Sequence, residues 1–263
     1  MKKWVQILVW TAVLSGALVL LSFVHSSNEN KTCWKVDIDI SNSEKVLFVN
    51  ESLIRQQISE EMGTLEETSM SSISIDRIRD IVLKNSGVSS AIVHKTIDGR
   101  IHIDAEQRVP NCRVLNADGS GFYLDREGWI IPLSNRYTAH VPVFTGALNE
   151  SIQVSCIKEV ISLNQLDKTR LDEIHKVANF LNEHSFWLAQ IDHVWVEKDG
   201  DFIMIPRIGQ HEIIVGNVDD LEVKMKKLEA FYQQTVNKAN LNKYETINLK
   251  FRDQVVCKRK AWH

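Results

Sequence analysis

Val88-Ser89-Ser90-Ala91-Ile92-Val93-His94-Lys95-Thr96-Ile97-Asp98-Gly99-Arg100-Ile101-His102-Ile103-Asp104-Ala105-Glu106 decides the fold class. Its first part, through Ile97, is rich in β-branched and apolar residues. Asp98-Gly99 is the strongest short hairpin signal, because both residue types tolerate the positive φ of a tight turn. From Arg100 onward polar and apolar residues alternate, with Ile101, Ile103 and Ala105 on one face. That period of two marks a half-buried strand. Upstream, Ser74 can cap a helix in which Ile75, Ile78, Ile81 and Val82 share a face, and Gly87 is positioned to end it. Before a Ser-rich loop, Asn50 caps a second helix carrying Leu53, Ile54, Ile58 and Met62 at helical spacing. Lys35 to Ile40 alternates again. Residues 34–110 therefore predict strand, helix, helix, strand, strand: a compact α+β unit with two helices on one face of a small sheet.

Beyond Pro110 the rhythm changes. Short strands are punctuated by Asp118-Gly119, Glu127-Gly128, Asp199-Gly200 and Val215-Gly216. The stretch 191–197 and the stretch 202–208 flank Asp199-Gly200 as a second hairpin. A helix over 168–184, capped by Asp167, aligns Leu171, Ile174, Val177, Ala178 and Leu181. Another over 218–236 aligns Leu221, Met225, Leu228, Phe231 and Tyr232, with Lys224, Lys226 and Lys227 on its wet face. Strands over 244–251 and 254–258 close the chain. Residues 111–263 thus form a second, strand-rich α+β domain.

At the other end, residues 4–24 are 21 positions without a formal charge, enough as a helix to span a hydrocarbon core about 30 Å thick. Twelve of them are Leu, Ile, Val or Phe, each favouring insertion by roughly 0.3–0.6 kcal/mol near a helix centre. Lys2 and Lys3 precede the run. The positive-inside rule leaves residues 1–3 as a cytoplasmic tail and exports everything after Val24, beginning with a short linker at 25–33. The rival reading is a cleaved signal peptide ending near Val24-His25-Ser26, but signal cores run about 7–15 residues.

The chain has 263 residues, 44% hydrophobic and 25% charged, with only 11 Gly and 4 Pro, which excludes collagen-like and wholly disordered polymers. With 31 Lys and Arg against 34 Asp and Glu it has no global charge to favour nucleic acid. Neither nucleophile-elbow, phosphate-loop, zinc-protease nor dinucleotide motifs occur, so no enzymatic activity, cofactor, metal or small-molecule substrate is expected. Asp118-Gly119-Ser120-Gly121 reads as a tight turn. Met204 and Met225 read as core filler, and His184 as a residue near a helix end. Asp37 and Asp39 point the same way on the first strand, where Glu44 alone is thin support for a metal. Cys33, Cys112, Cys156 and Cys257 contain no C-x-x-C pair; disulfides in an oxidising compartment and buried free thiols both remain open. Lys250, Arg252, Lys258, Arg259 and Lys260 gather on the last strands, as a solvated face or as a charged rim around a partner-binding strand.

This order of parts resembles the FtsQ/DivIB family of bacterial cell-division proteins, whose first exported domain is POTRA-like. Glu106-Gln107-Arg108-Val109-Pro110 is similar to the family's Glu-Arg-x-Pro step, with Gln107 where Glu is usual. Leu124-Asp125-Arg126-Glu127-Gly128 and Val141-Pro142-Val143-Phe144-Thr145-Gly146 resemble its Asp-x-x-Gly and Leu-Pro-x-x-x-Gly segments. Ile208-Gly209, followed by Lys224 and Leu228, resembles its Leu-Gly strand and Lys-x-x-x-Leu helix. Residues 244–259 look like its terminal strand, with Asn248, Lys250 and Phe251 at the last three marked positions.

The resemblance implies a non-enzymatic, single-pass inner-membrane protein at the division septum, with its bulk in the periplasm. It would recruit and hold FtsB-like and FtsL-like partners for septal peptidoglycan synthesis. The alternatives are a POTRA-bearing envelope assembly or secretion factor and a membrane-anchored envelope enzyme. The residues assigned to partner binding are Thr246, Ile247, Asn248, Leu249, Lys250, Phe251, Arg252, Val255 and Val256, with Gln107, Arg108 and Pro110 at the domain junction. The free edge of the strand over 244–251 is the expected docking surface, so proline at Thr246 or Asn248 should block pairing. The long apolar run also predicts an uncleaved anchor. N-terminal sequencing of the protein purified from membranes should begin at the initiator end; a start at His25 or Ser27 would reverse that reading.

Overall fold

The computed structural model describes residue 4 and residues 10–17, 31–42, 48–135, 137–150, 155–157, 169–234 and 241–260. Among these, no helix is long and apolar enough to cross a membrane. Most of the expected span over 4–24 lies outside the described residues, as do Asp167, Lys168 and Glu44. The chain divides into two compact units, Met1–Gln107 and Arg108–His263.

In the first unit β1 (Lys35–Ser41) is followed by α1 (Glu51–Met62), α2 (Ile75–Leu83), β2 (Val88–Lys95) and β3 (Arg100–Gln107). The expected caps form: Asn50 Oδ1 accepts from the Leu53 amide at 2.9 Å and Ser74 Oγ from the Arg77 amide at 3.3 Å. α2 ends at Leu83, four residues before Gly87. Gly87 instead sits where a Cβ would meet Val49 at 2.8 Å, so close packing rather than helix termination requires it. The hairpin turn is also longer than a two-residue loop. The Thr96 amide donates to the Arg100 carbonyl at 2.9 Å, leaving Ile97, Asp98 and Gly99 as the loop, with Gly99 at φ +88°. This is the three-residue loop in which the last residue is left-handed.

The sheet order is β1-β3-β2, with β1 parallel to β3. Alternation sends Val36, Ile101, Ile103 and Ala105 into a core completed by Ile54, Ile58, Ile78, Ile81 and Val82. The opposite face carries the polar set.

The second unit builds one sheet in the order β12-β11-β10-β9-β8-β7-β4-β5-β6. In chain order these are β4 (Pro110–Leu115), β5 (Gly121–Asp125), β6 (Ile130–Pro132), β7 (Val143–Gly146), β8 (Ile191–Val196), β9 (Phe202–Pro206), β10 (Glu212–Gly216), β11 (Tyr244–Asn248) and β12 (Val256–Arg259). Parallel neighbours need long crossovers. α3 (Leu171–Glu183) and α4 (Ser185–Gln190) lie between β7 and β8, and α5 (Leu221–Gln234) lies between β10 and β11. The α3 stripe of Leu171, Ile174, Val177, Ala178 and Leu181 is wholly buried, as are Met204 and Met225.

Three sequence expectations change in this unit. α3 starts at Leu171, with Arg170 at the cap position making no side-chain cap bond. β11 ends at Asn248, because Asn248 Oδ1 accepts from the Lys250 amide at 2.9 Å and turns the chain. Lys224 is buried, not on the wet face; its Nζ donates to the Asn217 carbonyl at 2.8 Å and to Asn217 Oδ1 at 2.7 Å. Burial pulls its pKa below that of an ordinary lysine.

The glycine turns separate two kinds of constraint. Gly119 has φ +87° and open space around it, whereas Gly146 has φ +115° and a Cβ there would lie 2.2 Å from the Val196 carbonyl oxygen. Backbone of a paired strand cannot yield as a side-chain tip can. Gly146→Ala should therefore destabilise the protein by at least about 2 kcal/mol, lowering the melting midpoint by roughly 4–8 °C, against about 1 kcal/mol for Gly119→Ala. Thermal melts of the two variants check the ranking.

Candidate functional site

The sheet of the second unit has two ends, treated differently. Beyond β6 the chain folds back over its edge: the Ile130 amide donates to the Ser155 carbonyl and the Ile157 amide to the Gly128 carbonyl, both at 2.9 Å. A bridge joins Trp129 to Cys156. β12 has no strand outside it among the described residues. It pairs inward only, with Tyr244 opposite Arg259, Thr246 opposite Lys258, Ile247 opposite Cys257 and Asn248 opposite Val256.

Which amides face out follows from the ladder. The Lys260 amide donates to the Lys243 carbonyl at 2.9 Å, so Lys260 points its backbone inward. The register irregularity between Tyr244 and Thr246 inserts its extra residue, Glu245, on β11 and leaves β12 regular. Strand alternation then turns the backbone of Lys258 and Val256 inward and that of Arg259 and Cys257 outward.

The approach to this edge is held in place. Lys227 Nζ donates to the carbonyls of Phe251 at 2.6 Å, Arg252 at 3.1 Å and Leu249 at 3.4 Å. Lys250 Nζ binds Asp201, which raises the lysine's pKa. The Leu249 amide donates to the Ile214 carbonyl at 2.8 Å. Phe251 is exposed, while Val255 and Cys257 pack partly against the core. On the face away from that core, one cross-strand row runs Thr145, Trp195, Ile203, Ile214, Asn248 and Val256, each opposite the next. Trp195 and Val256 are exposed.

The sequence-assigned residues thus divide. Val256 lies on the open strand, and Lys250, Phe251, Arg252 and Val255 lie in the loop leading to it. Ile247 and Leu249 are fully buried. Thr246 and Asn248 lie on β11, which is flanked by β10 and β12, so the free edge is one strand further out than expected. Proline at either position would break an internal ladder rather than a docking edge. The other residues of the open strand, Cys257, Lys258 and Arg259, are not among those the sequence assigns to partner binding; Lys258 and Arg259 enter it only as part of the basic cluster. A signal existed: lysine and arginine on the last strand of a sheet are a common way of guarding an open edge.

Among the junction residues, Arg108 carries a buried charge. Gln107 is buried and its Oε1 accepts from the Val49 amide at 2.8 Å, a role that needs an acceptor but no charge. Arg108 Nη1 meets Asp125 Oδ2 at 2.8 Å, with both side chains 8% exposed. Asp125 Oδ1 also accepts from the amides of Glu127 at 2.9 Å and Trp129 at 2.8 Å. The guanidinium lies 4.3 Å from the centre of the Trp129 ring. Pro110 opens β4 opposite Asp125. The Arg-x-Pro and Asp-x-x-Gly segments are therefore two halves of one contact.

A small α+β unit with a β1-β3-β2 sheet, followed by a helix-backed mixed sheet whose β12 edge is open among the described residues, defines the architecture. Residues 109–258 match the family model described as FtsQ/DivIB, C-terminal related, and residues 31–106 match the model of a POTRA-like domain. The chain belongs to the FtsQ/DivIB family. It is 27% identical over 188 residues to the cell division protein FtsQ of Rhodothermus marinus, covering 70% of this chain and 65% of that protein. The chain thus spans just under two thirds of the length of that curated relative.

Removing one partner of a buried ion pair leaves the other charged and unpaired. Asp125→Ala should cost about 3–5 kcal/mol and lower the melting midpoint steeply. The double replacement Arg108→Met, Asp125→Leu should recover part of the loss. Melting curves of the single and double variants read this out.

Proposed function

We propose that this protein is a non-enzymatic, membrane-anchored scaffold of the bacterial divisome. The apolar run over 4–24 anchors it in the inner membrane, with the two folded units in the periplasm at the septum. It recruits and holds FtsB-like and FtsL-like partners for septal peptidoglycan synthesis. It has no nucleic-acid or small-molecule substrate and no cofactor.

The observation that carries this reading is the contrast between the two sheet ends. Among the described residues, the chain's own backbone at 155–157 covers the entry to β6, from Gly128 to Ile130, while no strand lies outside β12. An open edge accepts a partner strand through main-chain hydrogen bonds, without a deep pocket. Lys258 and Arg259 guard it against a second copy of itself; Lys258 Nζ is paired with Glu245 at 2.9 Å, and Arg259 favours an acidic partner. The loop residues Lys250, Phe251, Arg252 and Val255 and the strand residue Val256 border the docked strand.

Backbone docking makes a specific demand on variants. Cys257→Pro and Arg259→Pro remove outward donors and should abolish retention of co-expressed FtsB-like and FtsL-like chains, with the circular dichroism spectrum unchanged. Cys257→Ser and Arg259→Ala keep the donors and should retain the partners. A tagged wild-type protein should collect at midcell. Folded proline variants that hold their partners like the wild type would refute docking at this edge.

A further inference from the structure

Asp37 and Asp39 on β1 were left without companions by the sequence. The fold supplies them on the solvent face of the first sheet. His94 of β2 is directly opposite His102 of β3, which is directly opposite Asp37 of β1. The next row is Ile92, Asp104 and Asp39. The two imidazoles stack face to face, with ring centres 5.2 Å apart and planes 9° from parallel. His94 Nδ1 is 3.9 Å from Asp104 Oδ2, and His102 Nε2 is 3.6 Å from Asp37 Oδ2.

We infer that His94, His102 and Asp104 form a binding site for a divalent transition metal ion of the zinc class. Two imidazoles and one carboxylate suit zinc, nickel or copper, and suit magnesium or calcium poorly. Two directly paired strands, β2 and β3, fix the three Cα positions; the donor atoms do not meet at one point in this conformation, and rotation of the side chains is what brings them together. Half of the His94 side chain is exposed and 27% of that of His102, which leaves the site reachable from solvent. Asp37 is not an equal candidate for ligand. Lys35 hydrogen-bonds it and Arg100 lies 3.6 Å away, and Lys35 chiefly holds its pKa below the ordinary value. Its Oδ2 lies 3.6 Å from His102 Nε2, just beyond hydrogen-bond distance, so a small rotation would let it accept from Nε2 and leave Nδ1 for the metal. This is the orienting role that a carboxylate behind a metal-bound histidine commonly plays. Asp39 adds negative charge beside Asp104 without a required contact.

A competing acidic trio exists in the second unit. Glu197, Asp199 and Asp201 bring their carboxylates within 4.8 Å of one another. Lys250 already occupies Asp201, and the trio offers no nitrogen ligand. It carries no site here.

The test is calorimetric titration of the full chain, purified in detergent, with zinc chloride. The wild type should bind one equivalent that excess magnesium does not displace. His94→Ala and His102→Ala should each weaken binding by at least roughly tenfold, Asp104→Asn should weaken it, and Asp37→Asn should weaken it less. The substitutions lie on a solvated sheet face, and circular dichroism verifies the fold of each. Absence of a saturable site in the wild type would overturn the proposal. So would full affinity in both histidine variants, which would move the metal to the acidic trio or to the cysteines.

Discussion

The Arg108–Asp125 ion pair is the constraint around which the second unit is arranged. A buried carboxylate is tolerated when its counter-charge and the hydrogen bonds to its other oxygen are in place; on the other side of the pair, the buried Nε of Arg108 has no partner among the described residues. Here the Asp125 carboxylate meets the guanidinium with one oxygen and two turn amides with the other. The turn from β5 to β6 must therefore close under the entry of β4, and Gly128 supplies the positive φ that closing it requires, at +87°. Trp129 follows directly and covers the guanidinium. One pair thus sets the start of β4, the end of β5 and the direction of β6. Because β6 is fixed there, the segment 155–157 can lie along its edge.

That fixed end makes the other end informative. Among the described residues the chain covers the start of the β6 border with its own backbone and places no strand outside β12. The open strand is also the last one described, reached through a loop whose carbonyls Lys227 gathers. A partner strand would meet an edge already held in its paired conformation, and ordering cost is what most reduces the affinity of strand addition. The bulge at Glu245 twists this border further, which discourages flat stacking of two copies.

What could be read from the sequence was local and periodic. Period-two alternation placed β1 and β3, and the 3.6-residue period placed the buried stripes of α1, α2, α3 and α5. Asn50 and Ser74 were legible as caps because their chemistry acts within three residues. Strand order was not legible, since nothing near residues 244–251 records that two further strands flank it. Lys224 shows a different failure. It falls at i+3 from Leu221, within the same stripe as Met225 and Leu228, so the period placed it inside while its charge argued for outside. The carbonyl and side-chain oxygen of Asn217 settle the conflict by receiving the ammonium. The histidine cluster was hidden for a related reason. His94 and His102 are eight residues apart across a turn, and their opposition depends on a three-residue loop rather than a two-residue one.

The row Trp195, Ile203, Ile214, Asn248 and Val256, apolar except at Asn248, gives side chains a part in the docking proposed for this edge. Main-chain pairing is nearly blind to sequence, so an open edge alone would accept any extended chain. Residues flanking the docked strand supply the discrimination. Val256 continues the row onto the last strand, and the next position in that row would belong to the incoming chain. A partner with an apolar residue there extends the row by one cross-strand contact, worth about 0.2–1 kcal/mol. A partner shifted by one residue presents its opposite face and loses that contact, because the side-chain period is two. In the docking proposed here, register and partner identity would be read together, at the place where the backbone is most permissive.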